Sequence, residues 1–220
     1  MNNNTCAPLC SVGLPIYNAE KHLEQALDTI LGKTLMTIEV VISDNRSTDS
    51  SLSICESYAR KDNRIRIFVQ DENIGASRNW NFVFENSTGR YFKWASANDY
   101  VAEDMLETCI TLLERDPSIV LAYGRTMMLG NHPDDCEQYQ YDFDLMEDDP
   151  VTRFFNLCWK IHYNNPQLGV IRRAALEKTR LDRVYRSGDL VLMGELALLG
   201  KFRLLDKIQM WQRMGDGFCS

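Results

Sequence analysis

The sequence predicts an α/β fold in which a mainly parallel central sheet is flanked by helices. Short apolar stretches of strand length alternate with amphipathic stretches of about 10 to 15 residues, the pattern of βαβ units. The chain has 220 residues, of which 45% are hydrophobic and 25% charged, so it can bury a sizeable core. Polar residues follow each of the first four predicted strands, where the loops of such a sheet commonly form a ligand site.

Predicted strands and helices alternate along the first half of the chain. The predicted strands are the buried runs LCSVGLPIY, IEVVISD and SIVLAYG, the alternating run RIRIFVQ, and the run RYFKWAS. The predicted helices between them are AEKHLEQALDTILGK, TDSSLSICESYARK, GASRNWNFVFENS and AEDMLETCITLLERD. The first helix has Leu23, Leu27 and Ile30 at helical spacing and Gly32 as its expected stop.

The regular pattern breaks after Gly124. We interpret residues 124–150 as an irregular insertion, and the acidic run from Asp134 to Asp149 as a solvated loop or a mobile lid. Pattern returns with VTRFFNLCWK, VIRRAALEKTR and GDLVLMGELALLGKF. The sequence has no internal repeat and no low-complexity linker, so residues 1–220 are predicted to form one domain with this insertion.

Charge and cysteine usage narrow the class of protein. A formal charge of −7 argues against a nucleic-acid partner. Seven scattered cysteines favour reduced thiols in the cytoplasm, and the three histidines have no cysteine at zinc-ligand spacing. No apolar stretch reaches about 18 residues, and the start lacks the features of a signal peptide, so a transmembrane segment is not expected.

Four polar clusters are expected to converge at one edge of the sheet, because the carboxyl ends of parallel strands lie together. They are Pro15–Asn18, Ser43–Asn45, Asp71–Asn73 and Ser96–Asp99. Each could instead contain a helix N-cap, for which Asn18, Ser47 and Asp99 qualify. Their joint occurrence favours a ligand site.

The residue types at this edge suit a nucleotide. Tyr17 can stack on a base, Asp44 can accept a hydrogen bond from a ring N–H, and the amide of Asn73 can act as both donor and acceptor. Gly75 permits a close backbone approach, and Arg78 can reach a phosphate. A Walker loop and a GxGxxG fingerprint are both missing from the sequence.

These segments resemble family 2 glycosyltransferases of the GT-A fold, a Rossmann-like architecture. The elements P-x-Y-N, D-N-x-S-T-D and N-x-G-x-x-R-N begin at Pro15, Asp44 and Asn73 and follow in the family's order. The resemblance extends from about Ser11 to Arg213. It implies nucleoside binding by Pro15, Tyr17 and Asp44, and places Asn73, Gly75 and Arg78 near the base and diphosphate.

The resemblance also implies a divalent cation, Mn²⁺ or Mg²⁺. The acidic metal motif of the family matches Ala97-Asn98-Asp99, so Asp99 would help to bind the cation on the nucleotide diphosphate. Where members often have further acidic residues, this chain has Ala97 and Asn98; the Asn98 amide can donate its oxygen but brings no charge. The family's late metal-binding histidine has no counterpart, with Asp216 a weak substitute.

Asp189 matches the family's catalytic base, with a helix N-cap role for Ser187 or Asp189 as the alternative. Glu195, six residues later, fits helix surface or a structural partner. We expect Trp159 and Tyr163 to line the acceptor cleft. Four further aromatic residues fit the core better than a sugar platform: Trp80, Phe82, Phe84 and Trp94.

The resemblance therefore implies an inverting glycosyltransferase. The donor would be a uridine or thymidine diphosphate sugar, and the acceptor a hydroxyl of a cell-surface glycan or lipid-linked carrier. The protein would lie in the cytoplasm or peripherally at the inner face of the membrane. Two alternatives stay open: a pseudoenzyme that binds the nucleotide sugar without turnover, and a sugar nucleotidyltransferase, for which Gly13-Leu14-Pro15 is a poor phosphate loop.

Overall fold

The computed structural model describes residues 7–35, 37–130 and 135–213. The strands in these ranges are β1 (Cys10–Ile16), β2 (Ile38–Asp44), β3 (Ile65–Val69), β4 (Tyr91–Trp94), β5 (Tyr100–Val101), β6 (Ile119–Leu129), β7 (Cys136–Gln138), β8 (Val170–Arg172) and β9 (Lys201–Arg213). The helices are α1 (Leu23–Leu31), α2 (Ser51–Ala59), α3 (Ala76–Glu85), α4 (Met105–Arg115), α5 (Pro150–Lys160), α6 (Arg173–Leu176) and α7 (Gly188–Leu199), with a 3-10 turn at Asn165–Leu168.

The strands form one sheet in the order β3-β2-β1-β4-β8-β6-β9-β5, with β7 paired to β6. The four strands β1 to β4 run parallel, and so do the long strands β6 and β9. The short strands β5, β7 and β8 pair antiparallel with their neighbours. The predicted α/β fold is thus confirmed, and its antiparallel pairs come from short strands.

The parallel part of the sheet is buried on both sides. Every residue of β2 is buried, as expected when helices cover both faces of a parallel sheet. Gly13 lets α3 approach β1 closely, since a Cβ there would lie 2.7 Å from Val83 and 2.6 Å from Phe92. Phe92 packs edge-on against Trp94 and Phe84, both buried as predicted. The other expected core aromatics, Trp80 and Phe82, are half-buried.

The acidic stretch after Gly124 is more ordered than its sequence indicates. Strand β6 continues to Leu129. Leu145 is fully buried, and its backbone exchanges hydrogen bonds of 2.9 and 3.0 Å with Phe202. The Asp142 carboxylate accepts from Thr126 N at 2.7 Å. A solvated loop or lid is therefore wrong for residues 142–145, because main-chain amides bind the acidic side chains; residue 134 lies outside the described ranges.

No helix in the described part of the chain has the length and apolar character needed to cross a bilayer.

Candidate active site

The carboxyl ends of β1 to β4 form one edge of the sheet, which we call the rim. Ile16 pairs with Asp44, and Asp44 pairs with Val69, so the loops after β1, β2 and β3 start side by side. Backbone hydrogen bonds continue the register past the strand ends: Asn45 N donates to Ile16 O and Gln70 N to Asp44 O, both at 2.9 Å. The predicted convergence of these polar clusters is therefore present.

Asparagine side chains fasten these loops to one another. Oδ1 of Asn18 accepts from Thr48 N at 2.8 Å, while Asn18 N donates to Ser47 Oγ at 3.0 Å. Asn45 donates from Nδ2 to Asn73 Oδ1 and accepts from Ile74 N, both at 2.9 Å. Asn45 belongs to a predicted polar cluster, but no local pattern indicates its partner, because Asn73 lies 28 residues away.

One carboxylate oxygen of Asp44 accepts a hydrogen bond, and the other has no partner among the described residues. Its side chain is 1% exposed, and Oδ2 accepts from Ser47 N at 3.2 Å. Oδ1 is buried and accepts no hydrogen bond from the described residues. A buried acceptor left unpaired costs free energy, so this oxygen is suited to a donor supplied by a ligand.

The other predicted nucleotide residues lie along the same rim. Pro15 lies in β1 opposite Ser43, and the Tyr17 ring after it is 50% exposed. Gly75 precedes α3 with φ of 82°, the left-handed region that favours glycine, and a Cβ there would meet open space. Arg78, in the first turn of α3, is exposed and lines a cavity of about 610 Å³.

The loop after β4 holds the expected metal residues. Asn98 is exposed, whereas Asp99 is half-buried and its Oδ1 accepts from Arg213 N at 3.2 Å. Burial raises the pKa of Asp99, although hydrogen bonds from Arg213 and Ser96 oppose the shift. Within the described residues, no group of three His, Cys, Asp or Glu side chains could hold a metal ion.

Lys93 is a buried neighbour of this loop that sequence reasoning misses. It shares with Asp99 the lining of a small cavity of about 10 Å³, which has room for about one water molecule. Its Nζ donates to the carbonyls of Trp94 and Leu168, and burial lowers the pKa of Lys93 to about 8. The sequence around Lys93 shows only a lysine within an apolar strand, and nothing in it indicates that the side chain is buried beside Asp99.

The N-cap alternatives for the rim residues are wrong. The N-cap positions of α1, α2 and α4 are His22, Ser50 and Asp104. Asn18, Ser47 and Asp99 lie earlier in each loop, and their side chains belong to the contacts between loops and strands described above.

Asp189 lies in the first turn of α7. Asn164 Nδ2 donates to Asp189 Oδ2 at 3.0 Å, and neighbouring Asn165 donates to Asp142 at 3.1 Å. Ser187 occupies the N-cap position with φ of 61° and makes no side-chain capping bond. Asp189 is thus oriented by Asn164. Burial raises the pKa of Asp182, and the charge of the nearby Asp189 carboxylate raises it further.

The remaining predicted residues fall into three groups. Glu195 accepts from the Arg180 backbone and guanidinium, which confirms its structural interpretation. Tyr163 is 54% exposed and packs edge-on against Tyr139 with ring centroids 5.7 Å apart. Trp159, on α5, is 81% exposed. Asp216 lies outside the described residues.

Comparison with known proteins decides the family. The family model described as glycosyl transferase family 2 matches residues 11–180. The chain belongs to this family. The glycosyltransferase GlyG of Streptococcus pneumoniae is 35% identical over 114 residues, which is 51% of this chain and 38% of GlyG. The aligned stretch is thus under half of that relative's length.

Solved structures confirm the GT-A fold of this family 2 member. Residues 1–349 of Staphylococcus aureus TarS in complex with UDP-GlcNAc align with a TM-score of 0.73 and 19% identity, covering 94% of this chain and 59% of that one. The mannosyltransferase PcManGT of Pyrobaculum calidifontis, in complex with GDP-Man and Mn²⁺, aligns with a TM-score of 0.68 and 18% identity, covering 94% and 57%.

Proposed function

We propose that this protein transfers a sugar from a uridine or thymidine diphosphate donor to an acceptor hydroxyl, with inversion at the anomeric carbon. The observation that carries the proposal is the unpaired Asp44 Oδ1 at the rim of a family 2 fold. The ring N–H of uracil or thymine is a donor of the kind this oxygen lacks. Adenine has no ring N–H on its pairing edge, and guanine presents two adjacent donors, N1–H and the amino group, whereas Asp44 has one unpaired oxygen, so the single ring N–H of a pyrimidine is favoured.

Different rim residues would contact different parts of the nucleotide. Pro15 and Tyr17 would bracket the base, with the exposed Tyr17 ring available for stacking. Asn18 and Asn73 keep the loops in register, so the site is ordered before the donor arrives. Gly75 leaves space for the backbone to approach the donor, and the Arg78 guanidinium would pair with the diphosphate.

Asp99 fits a cation that arrives with the diphosphate. Mg²⁺ and Mn²⁺ are commonly held by one or two carboxylates together with substrate phosphates, and Asp99 supplies one carboxylate with Asn98 as an uncharged neighbour. A bound cation would stabilise the charge on the leaving diphosphate. The hydrogen bond from Arg213 N orients the Asp99 carboxylate, which supports this role. A family neighbour in complex with Mn²⁺ supports the choice of metal.

Asp189 would remove the proton from the acceptor hydroxyl as the new bond forms. A sugar hydroxyl is a weak nucleophile at neutral pH, and a positioned carboxylate corrects this. Asn164 fixes one oxygen of Asp189, which leaves the other for the hydroxyl. A base on the side opposite the leaving diphosphate gives inversion.

The acceptor is proposed to be a cell-surface glycan or a lipid-linked carrier. Tyr163 supports this, because its exposed ring follows α5 and immediately precedes Asn164, the partner of Asp189. Trp159 would extend the same acceptor surface. A cytoplasmic site, in part at the inner face of the membrane, agrees with the free thiols of Cys10, Cys55, Cys109, Cys136 and Cys158.

A screen of donors tests the proposal. Hydrolysis and transfer would be measured with UDP-, dTDP- and GDP-sugars, with and without Mn²⁺, alongside calorimetry of each nucleotide. We expect turnover with a UDP- or dTDP-sugar. Binding without turnover across all donors would identify a pseudoenzyme. Release of pyrophosphate from a nucleoside triphosphate and a sugar phosphate would identify a nucleotidyltransferase instead.

A further inference from the structure

A cleft between α3 and the segment that leads into α7 holds an arginine cluster that the proposed chemistry leaves largely unused. The cavity measures about 610 Å³, within the usual size of a small-molecule site. Arg78 and Asn81 of α3 form one wall. Arg180, Asp182, Arg183 and Tyr185 form the other.

The two walls are fixed to each other by hydrogen bonds between the Asn81 side chain and the Asp182 backbone. Asn81 Nδ2 donates to Asp182 O at 2.6 Å, and Asp182 N donates to Asn81 Oδ1 at 3.1 Å. Arg78 lies three residues before Asn81, so both occupy the same face of α3. The arginines of the two walls therefore border one space whose width is set by this double hydrogen bond.

Three arginines and one carboxylate, Asp182, line the cleft, although the chain is acidic overall, with 31 acidic against 24 basic residues. Arg180 is oriented by its ion pair with Glu195. Neither Arg78 nor Arg183 forms a salt bridge with any carboxylate of the described chain. Unpaired guanidiniums in a cavity are the usual partners of phosphate groups, which they bind through charge-assisted, often bidentate hydrogen bonds.

We infer that Arg183, supported by Arg180, binds a phosphate group of the acceptor, while Arg78 serves the donor diphosphate. This rests on the proposed function and names the acceptor class: a phosphorylated glycan or carrier. Arg78 follows Asn73 and Gly75 of the donor rim. Arg183 lies on the segment that leads into α7, and a Cβ at Gly188 would lie against Arg183 O, so a phosphate bound there would lie beside the start of the helix that carries Asp189, the proposed base.

Binding of glycerol 3-phosphate to the protein saturated with UDP and Mn²⁺ tests the inference, with glycerol as the uncharged control. Saturating UDP fills the donor subsite, so phosphate bound in its presence lies elsewhere. Arg183→Gln should weaken glycerol 3-phosphate at least tenfold and leave the affinity for UDP within about twofold. Arg78→Gln should mainly weaken UDP. Arg186→Gln is the matched control, because Arg186 is exposed on the same segment and does not line the cavity.

Three results would overturn the inference: no binding of glycerol 3-phosphate to the UDP-loaded protein, an equal loss of UDP affinity in Arg183→Gln, or an equal effect of Arg186→Gln. The second result would assign Arg183 to the donor diphosphate. If UDP itself fails to bind, the proposed function is refuted separately. Glycerol 3-phosphate titrated into the protein alone, with the same variants, then decides the anion site without reference to the donor.

Discussion

Asp44 shows how a single residue can indicate a ligand. Its Oδ2 is used by Ser47 N, and its buried Oδ1 is unpaired within the described chain. If that oxygen accepts the ring N–H of a pyrimidine, Asp44→Ala should cost about 1–3 kcal/mol of affinity for UDP. Calorimetry would measure this, with Glu56→Ala, at an exposed carboxylate on α2, as the control. Equal affinities of the unaltered protein for UDP and GDP would contradict the assignment.

Asp99 and Asn98 make a second residue-scale comparison possible, since they differ in charge and burial. Asp99→Ala removes the carboxylate and should abolish most of the Mn²⁺ dependence of UDP binding. Asn98→Asp adds a charge at an exposed position and should tighten Mn²⁺ binding. Mn²⁺ titrations in the presence of UDP measure both effects. Parental titration curves for both variants would mean that the loop after β4 is purely structural.

At the scale of elements, a helix or strand can be predicted from the sequence when the residues that determine it are close together along the chain. Helix α1 is evident from the sequence because Leu23, Ala26, Leu27 and Ile30 make one buried face at helical spacing. Strand β9 is not evident from the sequence, because its buried and exposed residues neither alternate nor form a continuous apolar run. It is defined by its long parallel pairing with β6. Strand β5 is two residues long and is defined by its pairing with β9.

Lys33 connects two of these elements and has a testable pH dependence. It follows α1, is 5% exposed, and its Nζ donates to the carbonyls of Val101 and Ala102 at 2.8 Å. Burial, and then the charge of Lys93, lower the pKa of Lys33 from 10.5 to about 7. Between these values the unfolded chain holds the proton and the folded protein does not, so stability rises with pH through this window.

The free energy of unfolding should therefore increase by about 2 kcal/mol from pH 7 to pH 9 in the unaltered protein relative to Lys33→Met. Urea denaturation at a series of pH values measures the difference. Lys178→Met, at an exposed position, is the control and should track the unaltered protein. A Lys33→Met protein with the same pH dependence as the parent would show that Lys33 does not lose its proton on folding.

At the scale of the whole molecule, the two sides of the site differ in how far sequence reasoning reaches them. The rim proposed for the donor follows from the parallel strands, so the sequence alone predicts that Tyr17, Asp44 and Asn73 lie together. The side proposed for the acceptor depends on contacts such as that of Asn81 with Asp182, which are 101 residues apart. Such contacts have no local pattern in the sequence. The family motif therefore identifies Asp189 as the candidate base, whereas nothing in the sequence indicates its partner Asn164.

In the proposed mechanism the Asp189 carboxylate accepts a proton from the acceptor hydroxyl, so its role there depends on its basicity and not on its shape. Asp189→Asn keeps the size of the side chain and an oxygen for Asn164 Nδ2, while it removes the basicity. Turnover should fall by about 10²–10⁴-fold, with UDP affinity and melting temperature close to those of the parent. Asp206→Asn, on an exposed carboxylate, is the control. A markedly lower melting temperature would reveal a structural role, and transfer at the parental rate would remove Asp189 from the mechanism, because no shape-preserving loss of a true base leaves the rate intact.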